Sequence, residues 1–96
     1  MNNITFSWDE RKARENLRKH GISFEEAVIA FSDENARLIY DQEHSRNEDR
    51  FVLLGISSKL RILIICHAYR QDEREIRIIS ARKADRDERK QYGEFL

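Results

Sequence analysis

Proline is missing from this 96-residue sequence, glycine occurs three times and cysteine once. With no proline-rich, glycine-rich or low-complexity stretch, there is no material for a flexible interdomain linker. A chain this short buries only about 60–65% of its unfolded surface, too little for two cores. The expectation is one domain over residues 1–96, folded nearly end to end, with a core small enough that a partner matters to its stability. No apolar run approaches the roughly 20 residues that span a bilayer; the longest is Ile62 to Cys66. Met1-Asn2-Asn3-Ile4-Thr5-Phe6 has no basic cluster followed by an apolar stretch, so it does not read as a secretory signal. A single cysteine cannot form an internal disulfide, and Cys66 sits inside the apolar run, which fits a reducing, cytoplasmic setting and a buried thiol.

Close metal-ligand pairs are missing too, since His20, His44 and His67 are scattered and the cysteine is alone. No glycine-rich phosphate loop is present, which argues against a nucleotide-dependent enzyme. Neither a metal nor any other cofactor is expected. Net charge is also lacking: 18 basic residues balance 18 acidic ones. Bulk electrostatics therefore announce no nucleic-acid binder. A direct DNA-binding role is further disfavoured because the second expected helix opens with Glu25-Glu26, which repels a phosphate backbone.

What is present is segregated charge. Between Glu25 and Asp49 eight acids face only Arg37 and Arg46, whereas Arg50 to Arg70 holds Arg50, Lys59, Arg61 and Arg70 and no acid. Such a distribution either builds a cationic face on a neutral protein, leaving the acidic segment for a basic partner, or dissolves into a solvated, ion-paired surface. Arginine outnumbers lysine thirteen to five, and the planar guanidinium suits bidentate phosphate contact.

Local patterns give the elements. Ser7-Trp8-Asp9-Glu10 has capping-box spacing, so a helix is expected from Trp8 to His20, closed by Gly21 in a Schellman-type turn with Ile22 packing back on Leu17. Ser23-Phe24-Glu25-Glu26 repeats the box, and Phe24, Ala27, Val28 and Phe31 share one face of a short second helix. The period then turns strand-like in Arg37–Tyr40, Phe51–Ile56, Leu60–Tyr69 and Glu75–Arg82, with Arg77 and Arg82 expected on opposite faces of the last. Hairpin-sized connections predict antiparallel pairing, with Leu60–Tyr69 as a central strand covered on both sides. Ala84 to about Tyr92 carries acids first and Lys90 last, as a helix dipole prefers. The fold class is α+β: two N-terminal helices, about four antiparallel strands and a C-terminal helix.

These residues resemble the BrnT family, the toxin half of a type II toxin–antitoxin module. The likeness begins with Phe6-Ser7-Trp8-Asp9, Lys12 and Asn16. It continues through Lys19-His20-Gly21-Ile22-Ser23-Phe24-Glu25-Glu26-Ala27, Phe31 and Asp33, then Asp41, His44-Ser45, Glu48, Arg50 and Gly55. It closes with Arg77-Ile78-Ile79-Ser80-Ala81-Arg82, Ala84, Glu88 and Tyr92. The Lys-His-Gly-x-Ser-Phe and Ile-Ile-Ser-Ala-Arg blocks in this order are the specific part. The turn at Ile56-Ser57-Ser58-Lys59-Leu60 departs from relatives that carry a second glycine there, and histidine at position 67 is not demanded by the pattern.

The resemblance implies a RelE-like fold and metal-independent RNA cleavage that inhibits translation, silenced by a cognate antitoxin with a ribbon-helix-helix portion. DNA is then reached only through the antitoxin, and no membrane is involved. In-line attack by a ribose 2′-hydroxyl needs a base, cations for the phosphorane charge and an acid for the leaving oxygen. On this reading Arg82 and Arg50 stabilise the phosphate; the alternative for each is a salt bridge, to Asp85 or Glu48. Tyr92 either contacts phosphate, its phenol acidified by neighbouring arginines, or anchors the last helix. Glu48 serves as base or orients an arginine. Lys19, His20, Arg61 and Arg77 are the further phosphate-contacting candidates, although His20 also has a plain role at a helix end. His44 lies in a polar loop, His67 reads as a bonded strand residue, and Trp8 is core or interface more readily than a stacking platform. The competing function is a non-catalytic module that docks the antitoxin and modulates its DNA binding. Convergence of Arg50, Arg82 and Tyr92 on one groove separates the two.

Overall fold

The computed structural model describes residues 3–93. The elements are β1 (Thr5–Ser7), α1 (Glu10–His20), α2 (Phe24–Ala30), β2 (Arg37–Tyr40), a 3-10 turn (Gln42–His44), β3 (Phe51–Ile56), β4 (Ile62–Arg70), β5 (Glu75–Lys83) and α3 (Arg86–Gly93). The sheet order is β1-β5-β4-β3-β2. All pairs are antiparallel except β1 with β5, which is parallel. The α+β layout is the expected one, but the sheet has five strands, not four. A three-residue strand is too short to show a period of two, so β1 left no pattern in the sequence.

β1 also explains why the first helix starts later than expected. The Ser7 hydroxyl donates to Glu75 Oε2 at 2.6 Å on the neighbouring strand, so it is not free to cap. Asp9 caps instead, its Oδ1 accepting from the Arg11 and Lys12 amides at 2.9 and 3.2 Å. At the far end Gly21, at φ 71°, closes the helix with its amide on Leu17 O at 2.8 Å. The left-handed backbone there is what glycine supplies without strain. In α2 the Ser23 hydroxyl accepts from the Glu26 amide at 3.0 Å, but the Glu26 carboxylate turns inward to other partners, so only half of that capping box forms. α3 carries a reciprocal box that the sequence reading did not use: Asp85 Oδ1 accepts from the Glu88 amide and Glu88 Oε1 from the Asp85 amide, both at 2.8 Å.

The main core lies between the first two helices and one face of the sheet, where Ile22, Phe24, Ala27, Ala30, Leu53, Leu63, Ile65, Ile78 and Ala81 are buried. α2 lies close over β3 because position 55 is glycine: a Cβ there would stand 3.0 Å from Ala30 O. Beyond β1, the outer edge of β5 is closed by a side chain. Buried Asn16 donates through Nδ2 to Ala81 O at 2.8 Å and accepts the Ala81 amide on Oδ1 at 3.0 Å, the two bonds a neighbouring strand would make. A second Nδ2 bond reaches Ile22 O.

The opposite face is covered only at one end, by α3 on Leu54, with Ile56, Ile62 and Ile64 around it. β4 is central as expected but not sheathed on both sides along its length. β5 carries a bulge: Cys66 pairs with Ser80 and His67 with Ile78, leaving Ile79 as the extra residue. Arg77 therefore lies opposite Ala68 and Arg82 opposite Ile64. Those two β4 positions are four apart, so both arginines stand on the same, α3-bearing face, correcting the expectation of opposite faces.

Candidate functional site

The uncovered part of that face is framed by the loop from β2 to β3. Its base is closed by the Asp41 amide on Arg50 O at 2.9 Å. Ser45 braces it from within, donating from its hydroxyl to Asp41 O at 2.6 Å and accepting the Arg50 amide at 2.9 Å. This fixed loop brings Glu48 and Arg50 over the sheet, where they meet Arg70 from the end of β4 and Arg77 from β5.

One carboxylate serves three guanidiniums. Glu48 accepts from Arg77 Nη2, lies 3.9 Å from Arg50 Nε and 4.0 Å from Arg70 Nη2. Three cations against one anion leave two positive charges uncompensated. Arg77 Nε is buried with no hydrogen-bond partner among the described residues. The cluster walls a cavity of about 440 Å³, whose rim adds Glu43, His44, Arg46 and Asn47.

His44 is more than rim. Its Nδ1 lies 2.9 Å from Asp41 Oδ2. A carboxylate only accepts, so Nδ1 carries the proton and Nε2 is left as the basic nitrogen. Asp41 thus sets the tautomer, and the His44 side chain remains 62% exposed at the cavity mouth.

The other candidates are placed elsewhere. Arg82 makes a two-pronged pair with Glu88, at 2.8 Å and 2.9 Å. Its salt-bridge partner is thus Glu88 and not Asp85; the hydrogen bonds between the two are the main cause that raises the arginine pKa and lowers that of Glu88, and Asp85 adds to both shifts. Tyr92 is buried, and its hydroxyl donates to Asp33 Oδ2 at 2.6 Å. Burial and that carboxylate push the phenol up to about 12, the reverse of the acidification expected from nearby arginines. Arg50, Arg82 and Tyr92 therefore do not converge, the outcome that on this criterion favours the partner-docking module; of the three only Arg50 belongs to the cluster on Glu48.

Arg61 lies away from the cleft and is bonded to the helices. Its Nε and Nη2 donate to the buried Glu26, which also accepts from the Ser57 hydroxyl at 2.6 Å. A further bond from Nη2 reaches Gly21 O. The Arg61 hydrogen bonds hold the Glu26 carboxyl below its usual range. Lys19 and His20 line a smaller pocket of about 170 Å³ with Lys12 and Asn16, beside the β5 bulge. His67 is fully buried, packs edge-on to Phe31 with ring centres 4.8 Å apart, and donates from Nδ1 to Ile65 O at 3.0 Å. Burial lowers its pKa, keeping it neutral. The same effect raises the Cys66 thiol. Trp8 packs on Phe24 in an edge-to-face contact. Among the described residues, no three His, Cys, Asp or Glu side chains gather as metal ligands.

Two contributors escaped the sequence reading. Arg70 was visible only as part of the acid-free stretch, and its place at the end of a central strand was the signal. His44 was discounted as a loop residue, although the Asp-x-x-His spacing puts both side chains on one side of a 3-10 turn.

The family model for the ribonuclease toxin BrnT of type II toxin–antitoxin systems matches residues 8–88. A search among curated proteins gave no significant match. Among solved structures, the fold is similar to the Brucella abortus ribonuclease toxin BrnT, with a TM-score of 0.66 and 25% identity, covering 86% of this chain and 99% of that one. The chain belongs to the BrnT family: it is a ribonuclease toxin of a type II toxin–antitoxin system, with RNA as substrate and an antitoxin as partner.

Proposed function

We propose that this toxin cuts RNA without a metal in the Arg50–Arg70–Arg77 cleft, with His44 moving the proton. The observation that carries the reading is three arginines from separate elements gathered on Glu48 beside a histidine whose tautomer is fixed. A phosphate of the RNA backbone exchanges with Glu48 for the guanidiniums and takes up the surplus positive charge. His44 Nε2 accepts the proton of the ribose 2′-hydroxyl, whose oxygen attacks the adjacent phosphorus in line. The arginines hold the charge that builds on the phosphorane oxygens, which is where fixed cations contribute most. The bond to the 5′-oxygen breaks, that oxygen takes a proton from solvent water while His44 Nε2 returns its own to solvent, and the products are a 2′,3′-cyclic phosphate and a 5′-hydroxyl. Glu48 is a positioning residue that keeps three like charges together in the empty cleft.

Arg82, with Glu88, then orders the start of α3; Tyr92 anchors its end; Arg61 ties the hairpin to α2; Lys19 and His20 lie outside the cleft. Cleavage in the cytoplasm inhibits translation until a cognate antitoxin, carrying a ribbon-helix-helix portion that alone touches DNA, occupies the toxin. The test is cleavage of a defined RNA by antitoxin-free protein in excess EDTA, with analysis of the product ends. Cyclic phosphate ends support the mechanism; 3′-hydroxyl ends, or cleavage only on adding a divalent ion, overturn it.

A further inference from the structure

On the helical face of the sheet, Phe6, Phe31, Leu38, Leu53, Tyr69 and Ile76 line an apolar cavity of about 410 Å³. Leu38 and Ile4 at its mouth are 52% and 43% exposed. Leu38 lies on β2, an edge strand, so the sheet edge beside the cavity has no strand partner among the described residues. Tyr69 continues into a second depression of about 350 Å³, which carries the exposed acids Asp49, Asp72 and Glu73. That depression shares Glu48 and Arg70 with the arginine cleft. Tyr69 and Arg70 are consecutive on β4 and point to opposite faces. The track therefore rounds the strand end from an apolar cavity, past three carboxylates, into the cationic site.

We propose that this track is where the antitoxin docks and blocks the enzyme, the inference resting on the toxin reading above. Its occupant is a segment with apolar side chains for the cavity, basic ones against Asp49, Asp72 and Glu73, and an acidic group that takes the arginines from Glu48. Apolar anchors in such a cavity supply affinity, and the order of charges supplies register and orientation. The open β2 edge offers backbone partners to an extended segment. RNA does not fit the middle of the track, because the three carboxylates repel a phosphate chain.

The test titrates the purified toxin with its cognate antitoxin, following Kd by calorimetry and RNA cleavage in parallel. The toxin variants are Leu38→Glu and the double variant Asp72→Asn/Glu73→Gln. Both acids sit at positive φ, 53° and 68°, and these replacements keep the side-chain shape there. The expected result is unchanged cleavage without antitoxin, a Kd at least tenfold weaker for Leu38→Glu, and about threefold weaker for the double variant. Wild-type affinity in both variants overturns the inference. So does a matching loss of RNA cleavage, which would assign the surface to RNA, or toxin self-association abolished by Leu38→Glu, which would assign it to a second copy. Failure of the wild type to cleave RNA refutes the catalytic reading, while the antitoxin titration still decides the docking site.

Discussion

Tyr92→Phe removes one oxygen from a buried ring and leaves its volume almost unchanged. What is lost is the hydrogen bond to Asp33 Oδ2 at 2.6 Å. Bonds to a charged acceptor contribute about 1.5–3 kcal/mol. Asp33 keeps the Ile56 amide at 2.9 Å and the Asn35 amide at 3.0 Å, so its carboxylate is not stranded and about 2 kcal/mol is the expected loss. For a domain of this size that lowers the melting temperature by about 8–16 °C. The pH dependence carries a sign. Burial raises the Asp33 pKa, but the bonds from Tyr92, Ile56 and Asn35 outweigh it and leave the value lowered. Its contribution is present above the unfolded value near 3.8 and is lost as pH falls through the folded one, so the difference between wild type and variant shrinks in acid. Tyr92 acts at the other end: its folded pKa is raised to about 12, so its contribution is complete below about pH 10 and fades as pH rises through the folded value. Thermal and urea unfolding measure the stability, and RNA cleavage per folded molecule at low temperature measures the chemistry. An unchanged melting temperature with a hundredfold loss of cleavage would refute the argument and make the phenol catalytic.

Glu26→Ala removes the acceptor of two Arg61 donors and of the Ser57 hydroxyl; Arg61 is partly exposed and keeps Gly21 O, so the expected cost is about 1–3 kcal/mol. Because the Glu26 pKa is lowered by Arg61, that stabilisation holds above the unfolded value and disappears as pH falls through the folded one; urea midpoints across pH check it. Asn16→Leu leaves both backbone groups of Ala81 without their side-chain partner, with an expected loss of about 3 kcal/mol and faster hydrogen exchange at the Ala81 amide. Cys66 in the native protein is expected to alkylate far more slowly than in urea at pH 8, since burial raises its thiol pKa; equal rates would contradict its placement.

The helices and four of the strands were legible because each carries a period or a cap that is local in sequence. β2 and β3 fall on the expected residues, and Gly21 ends α1 as its left-handed backbone requires. β1 was not legible, because three residues show no alternation and their pairing depends on Glu75, nearly seventy positions away. The same contact moved the helix start, since Ser7 had a better partner than its own backbone. The bulge at Ile79 was hidden in a strand of uniform β propensity, and one extra residue decided which face Arg77 and Arg82 share. Site residues were read by type and motif, which names arginines but not their partners. Arg61 and Arg82 are each held by a carboxylate that sequence spacing does not reveal. Arg50 and Arg77 share theirs with Arg70 across three elements.

The central claim is that the chemistry belongs to the Glu48-centred cleft and not to the Arg82–Glu88 pair. Single-turnover cleavage of one RNA by Arg77→Ala, His44→Gln and Arg82→Ala tests it most directly. Losing a cation from the phosphorane is expected to slow Arg77→Ala by about 10²–10³-fold, and losing the proton carrier to slow His44→Gln by about 10²–10⁴-fold. Arg82→Ala, corrected for the folded fraction, is expected to stay within about threefold of wild type. Near-normal cleavage by Arg77→Ala and His44→Gln, together with inactive Arg82→Ala, would contradict the account and move the active site to the foot of α3.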